Sequence, residues 1–125
     1  MPPPSWIRTA HRNGTKILGT LIFEWDAGVL DIVELVLGER RPAVDQEAFA
    51  VFDTRYADML VDLAVERGFE GWLVNVEVEL GLDSTRGKVG VTEHVQALIC
   101  WLEYLTAVTK RRRSEERRVG KECME

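Results

Sequence analysis

An α/β fold with parallel strands and helices packed outside them is what this chain predicts, and three observations carry that reading. A short helical segment stopped by glycine leads into an apolar, β-branched strand near residues 16–23. The same helix, glycine and strand return further along, with the second strand near 71–77. In both copies an alanine and an arginine precede the glycine: Ala10, Arg12 and Gly14, then Ala64, Arg67 and Gly68. Strands that follow helices in this way favour a parallel sheet, because a crossover connection returns the chain in the same direction.

Each element has its own local cause. Ser5 is placed to cap a helix over 6–12, and Gly14 to end it. After the first strand, residues 28–37 carry Val29, Leu30, Ile32, Val33, Leu35, Val36 and Leu37, too apolar to face water all round, and predict a helix ended by Gly38. A loop around 40–42 and a short helical piece over 46–52 follow. Asp53 or Thr54 then caps a helix over 55–67, in which Tyr56, Met59, Leu60, Leu63 and Ala64 recur at spacings of three and four, and Gly68 stops it. Residues 80–90, rich in Gly, Asp and Ser, read as a loop. Residues 91–108 read as an amphipathic helix whose apolar stripe is Val95, Leu98, Ile99, Leu102 and Leu105.

Composition excludes several classes. The chain has 125 residues, 46% apolar and 30% charged, enough for one core. Its start, Met1-Pro2-Pro3-Pro4, lacks the basic and apolar regions of a signal peptide, and no stretch approaches the roughly 18 apolar residues of a membrane span. Cys100 and Cys123 have no partners at metal-ligand spacing, so neither metal nor cofactor is implied and a reducing compartment, the cytosol, fits. The net charge of −5 hides an asymmetry: residues 110–125 hold seven basic and four acidic side chains, the rest nine basic and 17 acidic. This basic end alternates with Glu115, Glu116 and Glu122 and has no aromatic to stack on a base, which argues against nucleic acid. The string from Arg113 to Cys123, Arg-Ser-Glu-Glu-Arg-Arg-Val-Gly-Lys-Glu-Cys, looks like the in-frame translation of a common DNA-sequencing adapter. The expected division is therefore 1–112 as natural domain and 113–125 as a non-native tail, with the natural reading frame cut near Arg112.

Chemistry concentrates in Gly71-Trp72-Leu73-Val74-Asn75-Val76-Glu77. A strand's two-residue period puts Asn75 and Glu77 on one face, a carboxamide beside a carboxylic acid. The apolar run before them is that of a buried strand, so the pair arrives at the strand's C-terminal end, where parallel α/β folds place their chemistry. Two strands are too few for such a fold: a closed (β/α)₈ barrel takes about 250 residues, and the chain reads as a slice of a larger domain.

The segments Pro2-Pro3-Pro4-Ser5-Trp6, Ala10-His11-Arg12-Asn13-Gly14, Leu18-Gly19-Thr20-Leu21-Ile22-Phe23-Glu24-Trp25, Tyr56-Ala57-Asp58 and Gly68 through Glu77 resemble, in order and spacing, the cytosolic endo-β-N-acetylglucosaminidases of glycoside hydrolase family 85. The resemblance spans about residues 2–108. It implies part of a TIM barrel that cleaves the β-1,4 bond within the N,N′-diacetylchitobiose core of N-glycans. The family's Asn-x-Glu motif falls on Asn75 and Glu77. In substrate-assisted glycosidases the substrate's 2-acetamido oxygen attacks the anomeric carbon and no second carboxylate is required. Asn75 is then expected to orient the acetamido group, and Glu77 to act as general acid and base, a role that wants a poorly solvated site.

Glu24 and Trp25 end the first strand at the same face and are expected to bind substrate, Trp25 by stacking on a sugar ring, with core packing as its alternative use. Glu79 reads as rim, Asp26 as a substrate contact or a cap, Trp72 and Trp101 as core, Trp6 as packing at the barrel's edge, and His11 as structural. Family members carry a catalytic tyrosine in a Trp-Tyr-Asp context on a later strand; here Tyr56 and Tyr104 both fall on helices, and this polypeptide alone is expected to have little or no hydrolase activity. Two other classes stand beside that reading. One is a non-catalytic α/β fragment that binds a glycan or a partner through Trp25 and exposed sheet edges. The other is a small doubly wound domain of the response-regulator kind, for which the strand ends offer no convincing phosphate-accepting Asp.

Overall fold

A computed structural model of the chain describes residues 1–37, 52–78, 82–83, 87–88 and 91–124. The order is α1 (Pro4–Arg12), β1 (Leu18–Glu24), α2 (Trp25–Leu37), α3 (Arg55–Arg67), β2 (Gly71–Glu77), a two-residue pair β3 (Leu82–Asp83) and β4 (Gly87–Lys88), and α4 (Val91–Met124). The fold is α/β, and its organising feature is the parallel ladder of β1 and β2, in register from Leu18 opposite Gly71 to Glu24 opposite Glu77.

Several local expectations need correction. Ser5 does not cap α1. The helix starts two residues earlier, with Pro4 in its first turn, where a missing N–H costs nothing, and the carbonyl of Pro3 accepts from Trp6 and Ile7. Gly14 and Gly68 do end their helices, each at positive φ, +69° and +84°. The helix after β1 begins at Trp25, directly on the last strand residue, instead of at Gly28, so Asp26 falls inside its first turn and not before it. At α3 the cap is Asp53, whose carboxylate accepts the Arg55 N–H at 2.7 Å, while the Thr54 side chain makes no capping bond. The segment expected as loop over 80–90 contains the antiparallel pair β3 and β4. The helix of 91–108 runs on to Met124. Gly38, the loop at 40–42, most of the helical piece at 46–52 and Glu79 lie outside the described residues.

Among the described residues, the helices cover one face of the sheet. Phe23, Ile32, Val33, Val36, Ala57, Val61, Leu98, Trp101 and Leu105 form the main core, with Leu21, Val74 and Val76 of the strands packed on it. The buried stripes keep Ala64, Leu98 and Leu105 of those expected and differ at other positions. In α3 the buried residues are Ala57, Val61 and Ala64, while Met59 is exposed. In α4 they are Ala97, Leu98, Trp101, Leu105 and Val108, while Val95 and Ile99 face solvent. Close helix packing selects small residues at the contact, whereas a hydrophobicity pattern weights the large ones. Trp101 is fully buried, as expected of a core residue. Trp72 is half-buried, edge-on to Phe69, and donates its indole N–H to the Leu60 carbonyl at 2.8 Å. Trp6 is exposed.

At the N-terminal end of the sheet Glu70 staples three segments. Its backbone N–H donates to the Ile17 carbonyl at 2.9 Å and its Oε2 accepts the Ile17 N–H at 2.7 Å. Its Oε1 meets His11 Nε2 of α1 at 2.5 Å. His11 is thus structural and stands at the sheet end opposite Glu77.

Candidate active site

Alternation along β1 and β2 sorts their side chains into two sets. Gly19, Leu21 and Phe23 with Trp72, Val74 and Val76 turn to the helices. Leu18, Thr20, Ile22 and Glu24 with Leu73, Asn75 and Glu77 lie on the other face. On that second face the carboxylates and the carboxamide gather at the C-terminal end. Asn75 lies directly opposite Ile22, and Glu77 opposite Glu24. Adjacent strands are about 4.8 Å apart, so two carboxylates and a carboxamide share one corner of the sheet.

Asn75 donates from Nδ2 to Glu77 Oε1 at 2.9 Å. That bond fixes the amide's orientation and leaves its carbonyl oxygen free of this pairing, as an acceptor aimed away from Glu77. Glu77 itself is exposed and Asn75 half-buried.

Trp25 is the next residue in the chain after this corner. It follows Glu24 without a linker, is 81% exposed, and has φ +65°, a left-handed conformation rare for a bulky residue. Its exposure overturns the core alternative. Gly28, one turn into α2, lets the helix start approach β2: a Cβ there would stand 2.8 Å from Val78 Cγ1 and 3.2 Å from the Phe23 carbonyl carbon. This contact, which the sequence reading missed, sets the β1–α2 junction against the strand that carries Asn75 and Glu77. A glycine three residues after the Glu-Trp pair was its only signal.

Elsewhere, a cleft of about 200 Å³ lies between α1, α3 and α4 beside His11 and Glu70, at the end of the sheet away from these groups. Tyr56 donates to Glu34 at 2.9 Å and Tyr104 to Asp58 at 2.7 Å, so both tyrosines tie helices together. Among the described residues no cluster of His, Cys, Asp or Glu is arranged to hold a metal ion, and no helix is long and apolar enough to cross a membrane.

The corner joins an amide to a carboxylate at the C-terminal end of a parallel strand, and it is comparison with known proteins that supplies the class, a glycoside hydrolase family. The model of glycosyl hydrolase family 85 matches residues 1–119, and the chain belongs to that family. It is 31% identical over 115 residues to cytosolic endo-beta-N-acetylglucosaminidase 2 of Arabidopsis thaliana, an alignment covering 85% of this chain and 15% of that protein. Cytosolic endo-beta-N-acetylglucosaminidase 1 of the same plant is 42% identical over 77 residues, 62% of this chain and 10% of the relative. The human cytosolic endo-beta-N-acetylglucosaminidase is 38% identical over 82 residues, 66% and 10% respectively. The chain thus spans 10 to 15% of the length of these relatives. No solved structure matches it.

Proposed function

We propose that this chain carries the acid/base corner of a cytosolic endo-β-N-acetylglucosaminidase, part of a (β/α)₈ barrel that hydrolyses the GlcNAc-β-1,4-GlcNAc core of N-glycans with retention and substrate assistance. The observation that carries it is the Asn75–Glu77 hydrogen bond on the open face of a parallel strand end. In this reading the amide oxygen of Asn75 accepts the N–H of the substrate's 2-acetamido group and turns the acetamido oxygen toward the anomeric carbon. Glu77 donates a proton to the departing glycosidic oxygen as the C1–O bond breaks and the acetamido oxygen bonds C1. It then takes a proton from the water that opens the cyclic intermediate. Trp25 offers an exposed indole face to a sugar ring, and Glu24, opposite Glu77, an acceptor for sugar hydroxyls.

Residues 113–125 are read as foreign to the natural domain, and the 1–112 portion as the working one. On its own the polypeptide is inactive in this proposal, because Glu77 is exposed and both tyrosines are engaged within the helical layer. The test is a graft: residues 1–112 replace the matched segment of the Arabidopsis relative, and a high-mannose glycopeptide is supplied. Cleavage leaving one GlcNAc on the peptide is expected, reduced at least about 100-fold by Glu77→Gln. A folded graft that leaves the glycopeptide intact, or free chain that turns it over rapidly, would count against the proposal. Trp25's exposure also favours a second reading, glycan binding without cleavage; saturable binding of chitobiose by a graft that never cleaves would select it.

A further inference from the structure

We propose that Gly28 is a positioning residue for the reaction: having no side chain, it seats the first turn of α2 on Val78, and that contact sets the spacing between the Trp25 end of α2 and the Glu77 end of β2. The inference rests on the acid/base reading of Asn75 and Glu77 and adds the part that holds them in place. Gly28 is buried, and a Cβ on it would stand 2.8 Å from Val78 Cγ1, 3.2 Å from the Phe23 carbonyl carbon and 3.5 Å from Phe23 Cα. Non-bonded carbons settle at about 3.5–4.0 Å, so the first two contacts leave no room for a methyl group. A helix disfavours glycine relative to alanine. The close approach of helix to strand accounts for the residue, and the helix alone does not.

Neither neighbour steps aside easily. Phe23 is buried and held in the ladder opposite Val76. Val78 packs on the core, and its branched Cβ leaves it few rotamers. Further along, α2 is anchored in the same core by Ile32, Val33 and Val36. An added methyl is therefore relieved where the two elements are least held: the turn of α2 that begins at Trp25 moves away from the strand end that carries Glu77, one residue before Val78. Both side chains keep their chemistry and lose their relative placement. A displacement of about 1 Å between groups that act on one substrate costs on the order of 100-fold in rate.

The test is a double-substitution cycle in the graft. Gly28→Ala is expected to lower kcat for glycopeptide cleavage about tenfold or more, with KM changed less than about threefold. In a Val78→Ala background, which lacks the methyl that the new Cβ meets, the same substitution should lower kcat by less than about threefold. The residual loss reflects the Phe23 carbonyl carbon, which stays in place. An unchanged kcat, a loss carried by KM, or an equal loss in both backgrounds overturns the inference. A second arm reads placement without activity, from the nuclear magnetic resonance spectrum of the full chain. The Trp25 indole N–H, the Glu77 backbone amide and the Asn75 side-chain amide should shift on Gly28→Ala, and shift less when the substitution is made alongside Val78→Ala. Signals that stay put, or that move equally in both backgrounds, overturn the inference. Should Gly28→Ala fail to fold, the double variant must fold, and its failure too overturns the role of the contact. A parent graft that assembles but does not cleave refutes the proposed activity, and the resonance arm then decides the placement by itself.

Discussion

Trp25 combines two costs, a left-handed backbone and a large apolar ring in water. Neither is repaid by packing, and strain of this kind at a strand end is characteristic of ligand-binding positions. Replacing Trp25 with glycine is expected to leave stability unchanged or raise it by about 1 kcal/mol, whereas Trp25→Ala keeps the backbone strain; glycan binding by the graft, followed by titration, should be lost in both. Tyr104 gives a residue-scale pH dependence. Its hydrogen bond to Asp58 and its burial raise its pKa above the usual 10. The folded chain therefore holds the phenolic proton more tightly than the unfolded one, and the resulting stability is fully present below pH 10 and falls as pH rises through the folded-state value. Thermal unfolding between pH 9 and 11 should show that loss, and Tyr104→Phe should flatten it. The polar corner itself was legible from residues alone, since a strand's period leaves Asn75 and Glu77 no choice but to share a face. The conformation of Trp25 was not, because a positive φ outside glycine is imposed by the junction between elements and not by the residue.

At the scale of elements, the two strands are held together by contacts that the pattern of hydrophobicity does not announce. A Cβ on Gly19 would stand 2.7 Å from Trp72 Cζ3 and 3.0 Å from Phe69 Cε2. Trp72 cannot yield easily, being held by its bond to the Leu60 carbonyl and by its edge contact with Phe69. Gly19→Ala is therefore expected to destabilise the chain by about 1–3 kcal/mol in urea unfolding. Glu70→Ala removes the acceptor of the Ile17 N–H together with the partner of His11, and should cost a further amount of about 1–3 kcal/mol, with Glu70→Gln recovering part of it. The existence and order of the helices and strands could be read in advance because glycine stops and strand-like runs are local signals. Which face each helix buries depends on neighbours distant in sequence, and there Ala57 and Ala97 outrank Met59 and Ile99.

On the scale of the whole molecule, the apolar run before Asn75 reads as a buried strand, and the described residues bury one face of the sheet. Leu18, Ile22 and Leu73 account for the difference: their apolar character suits a doubly covered sheet, and their exposure marks the side where cover is missing. Family membership and the 10 to 15% span agree with that asymmetry. The ladder also sets a clock. Every residue of β1 pairs with one 53 positions later, from Leu18 with Gly71 to Glu24 with Glu77. At a synthesis rate of about 5–20 residues per second, β1 leaves the ribosome roughly 3–10 s before the strand it needs. For that interval its aliphatic residues have no ladder to join, and a chaperone that captures extended apolar segments has its opening during translation and not after release.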